Sequence, residues 1–195
     1  MFKHAVTGAL LVSAGVILSG TAQAQSLNLT QPSYTHFSGG VSETSSGNRG
    51  FTLDGEYEFG HKFFMTGTYR QIRQRFSDGS SFNESLIDVG VGRYFNVYDR
   101  TTLDASVSLG HYALSSNVFS SDGSPFYTLN SGIRQRHDAF EYRLGYRYID
   151  MDGYDSTHGA VASAYFYFTP QTAIGVHFND VYSRSTWSFG MRFLF

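Results

Sequence analysis

Bulky apolar side chains occupy every second position of the last nine residues, Trp187, Phe189, Met191, Phe193 and Phe195, with Ser188, Gly190 and Arg192 between the first four. Successive side chains of an extended strand point to opposite faces, so such a segment stands between an apolar medium and a wet one. The pattern recurs. Residues 51–59 put Phe51, Leu53, Gly55, Tyr57 and Phe59 on one face and Thr52, Asp54, Glu56 and Glu58 on the other. Residues 103–110 oppose Leu103, Ala105, Val107 and Leu109 to Asp104, Ser106, Ser108 and Gly110, and residues 140–148 oppose Phe140, Tyr142, Leu144, Tyr146 and Tyr148 to Glu141, Arg143, Gly145 and Arg147. In a soluble sandwich the apolar face would meet a protein core. Here the polar face carries much charge, which predicts an all-β fold, a closed antiparallel transmembrane β-barrel with lipid outside and a polar lumen inside.

Period two predicts about ten strands, near residues 33–42, 50–60, 62–74, 84–96, 101–114, 125–136, 139–150, 157–169, 171–181 and 184–195. The connections alternate in length: short at 60–61, 96–100, 136–138 and 169–171, longer at 43–49, 75–83, 115–124 and 151–156, with 182–183 completing the second set. Outer-membrane barrels have short periplasmic turns and longer external loops, which assigns the first set to the periplasm and the second to the outside. Both termini then lie in the periplasm and the strand number is even. Ten satisfies this, and eight is the alternative: the first strand contains Gly39 and Gly40, and only Pro170, which cannot donate to a ladder, separates the eighth from the ninth. The facing of the eighth strand stays open, since either Ala160, Ala162, Ala164, Phe166 and Phe168 or Val161, Ser163, Tyr165 and Tyr167 could meet lipid.

The N-terminus supplies a route of export. Met1-Phe2-Lys3-His4 is a short basic lead, residues 5–20 are mostly apolar, and Ala22-Gln23-Ala24 is a small-x-small cleavage site. A cleaved signal peptide is expected over residues 1–24, leaving 195 − 24 = 171 residues, a single barrel domain over 25–195. Hydrophobic residues make up 41% of the chain and mean hydropathy is -0.23. No second apolar run approaches the roughly 20 residues of a spanning helix, whereas alternation hides a spanning strand from any averaged scale. The 21 Gly, 14 Tyr and 18 Phe suit crowded inward positions and aromatic girdles. With no Cys, backbone pairing rather than disulfides must hold an exported chain. A net charge of -2 without a basic cluster carries no nucleic-acid footprint.

Parity also assigns the lumen. Asp54, Glu56, Glu58, Asp88, Asp104 and Glu141 face inward, as do Arg70, Arg134, Arg143, Arg147 and Arg192, six acids against five bases. A selective channel favours an excess of one sign along an open path, whereas a narrow barrel can fill itself with Arg–carboxylate pairs. The near balance predicts a largely plugged ionic lumen, with a narrow porin-like path as the alternative. His158, after Asp150, Asp152 and Asp155, comes nearest to a catalytic or calcium-binding constellation, but the spacing lacks the distal Glu of an EF-hand and no His-x-Ser-Asn segment is present. A non-enzymatic protein without cofactor or metal is expected, a rim-located membrane enzyme being the remote alternative.

Trp187, Phe189, Met191, Phe193 and Phe195 resemble the C-terminal assembly signal of bacterial outer-membrane proteins. With residues 34–42, 51–59 and Val89-Gly90-Val91-Gly92-Arg93-Tyr94, they make the chain resemble the superfamily of small outer-membrane barrels, and within it a compact ten-stranded group, the diffusible-signal-factor-regulated outer-membrane proteins. It is similar in plan to the OmpX and OmpA-transmembrane type, which has eight strands. The resemblance implies a Gram-negative outer-membrane location, surrounding lipid and lipopolysaccharide, and passage through periplasmic chaperones and the outer-membrane assembly machinery. It implies an architecture rather than an activity. The function expected is structural or surface-interacting, through the external loops at 75–83 and 115–124 and an extracellular ligand.

Overall fold

The computed structural model describes residues 31–75, 80–116, 122–181 and 184–195. The expected signal peptide, with its cleavage residues Ala22 and Ala24, lies outside the described residues. Ten strands follow in order: β1 (His36–Thr44), β2 (Arg49–Gly60), β3 (Phe63–Arg75), β4 (Ser81–Tyr98), β5 (Thr101–Ser116), β6 (Asp122–His137), β7 (Phe140–Met151), β8 (Thr157–Tyr167), β9 (Thr172–Val181) and β10 (Arg184–Leu194). Each pairs antiparallel with its sequence neighbours, and β1 pairs β10 from His36↔Leu194 to Thr44↔Thr186, which closes the barrel at ten strands rather than eight. Pro170 sits in the turn between β8 and β9, where Phe168 N–H donates to the Thr172 carbonyl at 3.1 Å and no ladder bond is asked of the proline.

Two of the expected external loops are shorter than their composition suggests. Ser81 pairs with Arg75 and Asn83 with Arg73, so much of 75–83 belongs to β3 and β4; Asp122 pairs with Leu114, so the ends of 115–124 belong to β5 and β6. Ser, Asn, Asp and Gly read as turn formers, but pairing with an already placed neighbour overrides local preference in a sheet. The first strand is also displaced. It starts at His36 and runs to Thr44, because residues 33–35 bend into the barrel mouth.

The facing of every strand follows from the register. Outward positions of β10, Trp187, Phe189, Met191, Phe193 and Phe195, are exposed, as are Leu103, Val107 and Leu109 of β5 and Leu144 and Tyr146 of β7. In β8, Val161, Tyr165 and Tyr167 are buried in the lumen while Phe166 and Phe168 are exposed, so the alanine face, 160, 162 and 164, is the outer one. Aromatic pairs gather toward both ends of the belt: Phe51–Tyr69, Tyr127–Tyr148 and Phe178–Trp187 toward the outside, Phe59–Phe63 and Phe140–Phe166 near the short turns. Trp187 to Phe195 spans about 26 Å along the strand at the usual rise, which at the usual tilt of such strands is about 20 Å of barrel height.

Beyond that belt the alternation changes sign. On the outer face polar residues take over, Arg49, Gln71 and Arg73, Ser85, His111, Asp150 and Asp180, and their inward neighbours become apolar: Ile72, Leu86, Ile149, Met151 and Val181. Leu86, Phe126, Ile149, Met151 and Val181 form one buried cluster with Tyr112 against it. Where the outside of the wall turns from lipid to water, the inside turns from mostly charge to mostly hydrocarbon.

Candidate functional site: the two halves of the lumen

In the half of the lumen nearer the short turns, the periplasmic half in the expected orientation, side chains from several strands meet. Tyr34, 1% exposed, enters from the bend before β1, stacks on Tyr94 (4.1 Å between centroids, 2° between planes) and tilts against Phe64 at 4.8 Å. Its hydroxyl lies 2.8 Å from Thr102 Oγ1 and donates to Asp104 Oδ2 at 3.2 Å. The β6 residue Arg134 reaches across the lumen: both terminal nitrogens donate to the Glu56 carboxylate at 2.8 Å, and Nη1 also donates to the Ser33 carbonyl at 3.0 Å. The guanidinium carbon lies 4.2 Å from the centre of the Tyr34 ring, within cation–π range. Arg143 Nη2 donates to Asp104 Oδ1 at 2.8 Å, so Asp104 is held by an arginine and a tyrosine at once.

A second group lies beside it. Arg192 Nη1 donates to Glu141 Oε1 at 2.7 Å, and its Nε donates to Ser38 Oγ at 3.1 Å. Arg136 Nη1 lies 4.0 Å from Glu141 Oε2, which also accepts from the Tyr167 hydroxyl at 3.3 Å. Arg192 stacks over Tyr165 at 3.6 Å and Arg136 over Tyr167 at 4.0 Å. Three arginines are thus each paired in charge with a carboxylate and in dispersion with a ring. Bidentate, stacked pairing is what the planar guanidinium does better than an ammonium, and residues 25–195 contain Lys62 as their one lysine.

The residues assigned to the lumen by parity therefore occupy three levels. Glu56, Asp104, Arg134, Glu141, Arg143 and Arg192 meet in the periplasmic half. At mid-height Asp88 faces the hydroxyls of Thr68 and Ser108 with Arg147 and Arg70 as its cationic neighbours, and Arg147 Nε donates to Asn130 Oδ1 at 2.5 Å. Asp54 pairs with His36 (3.8 Å) rather than with an arginine, and Glu58 accepts from the Tyr94 hydroxyl at 2.8 Å. Arg70 stands higher, 3.4 Å from Glu84. Sequence reasoning missed Tyr34, His36, Glu84, Arg136, Tyr165 and Tyr167. Arg136 shares the parity of Arg134 and could have been found by extending β6 one more pair; its place in an expected turn hid it.

The external half is hollow. A cavity of about 600 Å³ opens there, walled by Ile72, Phe82, Leu114, Ile149, Met151 and Val181 and by Arg70, Gln74 and Glu84 on β3 and β4, with Tyr154 and Asp155 at its mouth. His158, outside the lumen, has its ring 5.6 Å from Tyr146, and among the described residues no three His, Asp or Glu side chains converge as a metal site requires.

No family model matches the chain and no curated protein does. Several solved structures are similar. Ail, the attachment invasion locus protein of Yersinia pestis, solved in complex with the heparin analogue sucrose octasulfate, is 18% identical over 82% of this chain and 97% of that one, with a TM-score of 0.45. The KdgM porin is 12% identical over 83% and 99%, TM-score 0.47, and the NanC porin 7% identical over 82% and 100%, TM-score 0.49. The finer resemblance to the diffusible-signal-factor-regulated group rests on the sequence alone. The structure itself carries the assignment: a sheet closed on itself leaves no unpaired backbone to lipid, its exterior is an apolar belt between aromatic girdles, and the chain is an all-β barrel of the small outer-membrane kind.

Proposed function

We propose that the chain is an integral outer-membrane barrel that acts at the cell surface through its external end, in a binding or structural rather than catalytic role, with its lumen closed to solutes. Its surroundings are lipid and lipopolysaccharide, and periplasmic chaperones and the assembly machinery deliver it. The observation that carries the closed lumen is the Arg134–Glu56 pair, bidentate at 2.8 Å and backed by the Tyr34 ring. A solute crossing the barrel would have to separate this pair and the Arg192–Glu141 pair beside it. Each is largely withdrawn from water, so separation leaves a poorly solvated charge behind. The surface role is supported by β3 to β6, whose paired strands run past the polar rim of the belt and present their tips to the outside.

Planar-bilayer recording of the refolded chain tests this. The expected result is a quiet baseline in the wild type and discrete openings in the Tyr34→Ala/Arg134→Ala double variant. Steady unit conductance in the wild type would overturn the closed reading and establish the narrow porin in its place.

A further inference from the structure

We propose that the external half of the lumen is a binding site for a small amphipathic organic cation, an amine or quaternary ammonium carried on an apolar or aromatic body. The inference deepens the surface role proposed above and rests on that reading for its biological meaning, but binding is measured independently of conductance.

The interior of a narrow outer-membrane barrel is ordinarily polar, yet here Leu86, Phe126, Ile149, Met151 and Val181 point inward and cluster. Apolar side chains above the belt are expected to close on each other as the core of a small water-exposed barrel. They do so only in part, and a cavity of about 600 Å³ remains. That volume lies within the range of roughly 300–1,000 Å³ typical of small-molecule sites, and apolar walls with a few convergent polar groups are the usual composition of such sites. Arg70, Gln74 and Glu84 belong to its wall, and Tyr154 and Asp155, in the turn after β7, stand at its external end. A ligand enters and leaves by that external mouth.

The polar groups select the charge. Arg70 is turned to Glu84 at 3.4 Å, and Gln74 Nε2 donates to the second oxygen of the same carboxylate at 3.0 Å. The base of the lining is therefore matched within the wall. Asp155 at the mouth has no ion-pair partner among the described residues. Beside it the ring of Tyr154 meets that of Tyr112 edge-on, 6.1 Å apart at 76°. An acid at the mouth with aromatic rings beside it suits a cation, which gains from the carboxylate and from the π faces together, whereas an anion would be repelled by the carboxylate. The apolar walls then take the body of the molecule.

The test uses the refolded chain in phospholipid nanodiscs, with three probes that share one body: 4-phenylbutylamine, 4-phenylbutanol and 4-phenylbutanoate. Methionine methyl groups labelled with carbon-13 report where each probe goes. Met151 lines the cavity at 7% exposure, while Met65 and Met191, at 46% and 40%, face lipid. The amine is expected to shift the Met151 methyl saturably, with about one molecule bound per chain, while Met65 and Met191 respond only in proportion to probe dissolved in the bilayer. The carboxylate should bind at least tenfold more weakly than the amine. Asp155→Asn should weaken the amine by roughly threefold, the size expected for an exposed charge partner, and narrow its advantage over the carboxylate. Leu114→Trp, which fills the cavity, should abolish saturable binding while the electrophoretic shift of the folded barrel is kept. The inference is overturned if Met151 responds no more than the lipid-facing methionines, or if the carboxylate binds as well as the amine. Binding that survives in a folded Leu114→Trp variant would overturn it as well, and the wild-type Met151 result stands even if that variant does not fold.

Discussion

Arg134→Met removes the guanidinium that reaches across the lumen to Glu56 while keeping most of its volume. The loss is two charge-assisted hydrogen bonds of 2.8 Å to Glu56, one of 3.0 Å to the Ser33 carbonyl, and the stack on Tyr34 at 4.2 Å. Asp104 keeps Arg143 at 2.8 Å and the Tyr34 hydroxyl at 3.2 Å, so it is not the residue stranded. Glu56 is. Its nearest remaining partner is His36 Nδ1 at 3.7 Å. Breaking a buried pair from one side costs about 3–5 kcal/mol; Glu56 retains some exposure at the mouth, which places the expected cost near the lower end, about 3 kcal/mol. Removing both partners should cost far less, because apolar replacement of a buried pair is often close to neutral. Glu56→Leu/Arg134→Met is thus expected within about 1.5 kcal/mol of wild type, with a coupling energy of about 2 kcal/mol or more in the double-mutant cycle. The assay is urea unfolding in lipid, followed by the lone tryptophan, Trp187, which faces lipid at 56% exposure, with linear extrapolation to water. A single variant within about 1 kcal/mol of wild type, or a double variant as unstable as the two singles summed, would refute the reasoning.

Three further outcomes are expected. Gly190→Val should block closure between β1 and β10, since a Cβ at Gly190 would meet the Gly39 carbonyl oxygen at 2.1 Å; the check is loss of the heat-modifiable folded band in electrophoresis. Tyr146→Arg, on the lipid face of β7, should cost about 2–4 kcal/mol in unfolding free energy if it lies near the midplane, and a lipid-soluble quencher should reach a probe at 144 or 146 but not at 143 or 147; the reverse quenching pattern would invert the facing of the strand. An epitope inserted at Gly153, in the turn after β7, should be labelled on intact cells, whereas one at Asp138, between β6 and β7, should need permeabilised cells.

Most of the barrel could be read from the chain because lipid imposes a simple rule: one face of each strand must be apolar for the height of the bilayer. Phe51 to Phe59, Leu103 to Leu109 and Trp187 to Phe195 obey it, and their parity placed Asp104, Glu141 and Arg192 inside before any register was known. The rule weakens where residues are small or amphipathic on both faces. Ala160, Ala162 and Ala164 meet lipid with little hydrophobic contrast to Val161 and Tyr165 behind them, so β8 was undecidable until its register against β7 and β9 was known. Partner identity was less legible still. Parity says that Glu58 and Asp54 face the lumen, but not that Tyr94 and His36 lie opposite, because contacts across a barrel depend on stagger among non-adjacent strands.

The inward hydrocarbon at the external end was hidden for a different reason, and it says where the membrane stops. A search for apolar faces takes Tyr142, Leu144, Tyr146 and Tyr148 as the lipid side of β7, then meets Ile149, Asp150 and Met151 as a failure of the pattern. The failure is an inversion. Asp150 keeps the outward parity of Tyr148 but now faces water, and Ile149 and Met151 keep the inward parity of Arg147 but now bury themselves in the lumen. The same exchange occurs at Gln71–Ile72, Ser85–Leu86 and Asp180–Val181, on strands that do not adjoin one another throughout, so it marks a level of the barrel rather than a feature of one hairpin. Below that level the wall has lipid outside and mostly charge inside; above it, water outside and an interior mainly of hydrocarbon, with the Arg70–Glu84 pair and Gln74 among it. Moving Ile149 or Val181 to a charged residue should therefore cost stability as a core substitution would, and moving Asp150 or Asp180 to lysine should cost little, although a lysine two residues lower on the same outer face, at Tyr148 or Phe178, would enter the belt. Comparing unfolding free energies for Asp150→Lys and Tyr148→Lys locates the boundary directly: equal costs at the two positions would mean that the inversion has nothing to do with the edge of the bilayer.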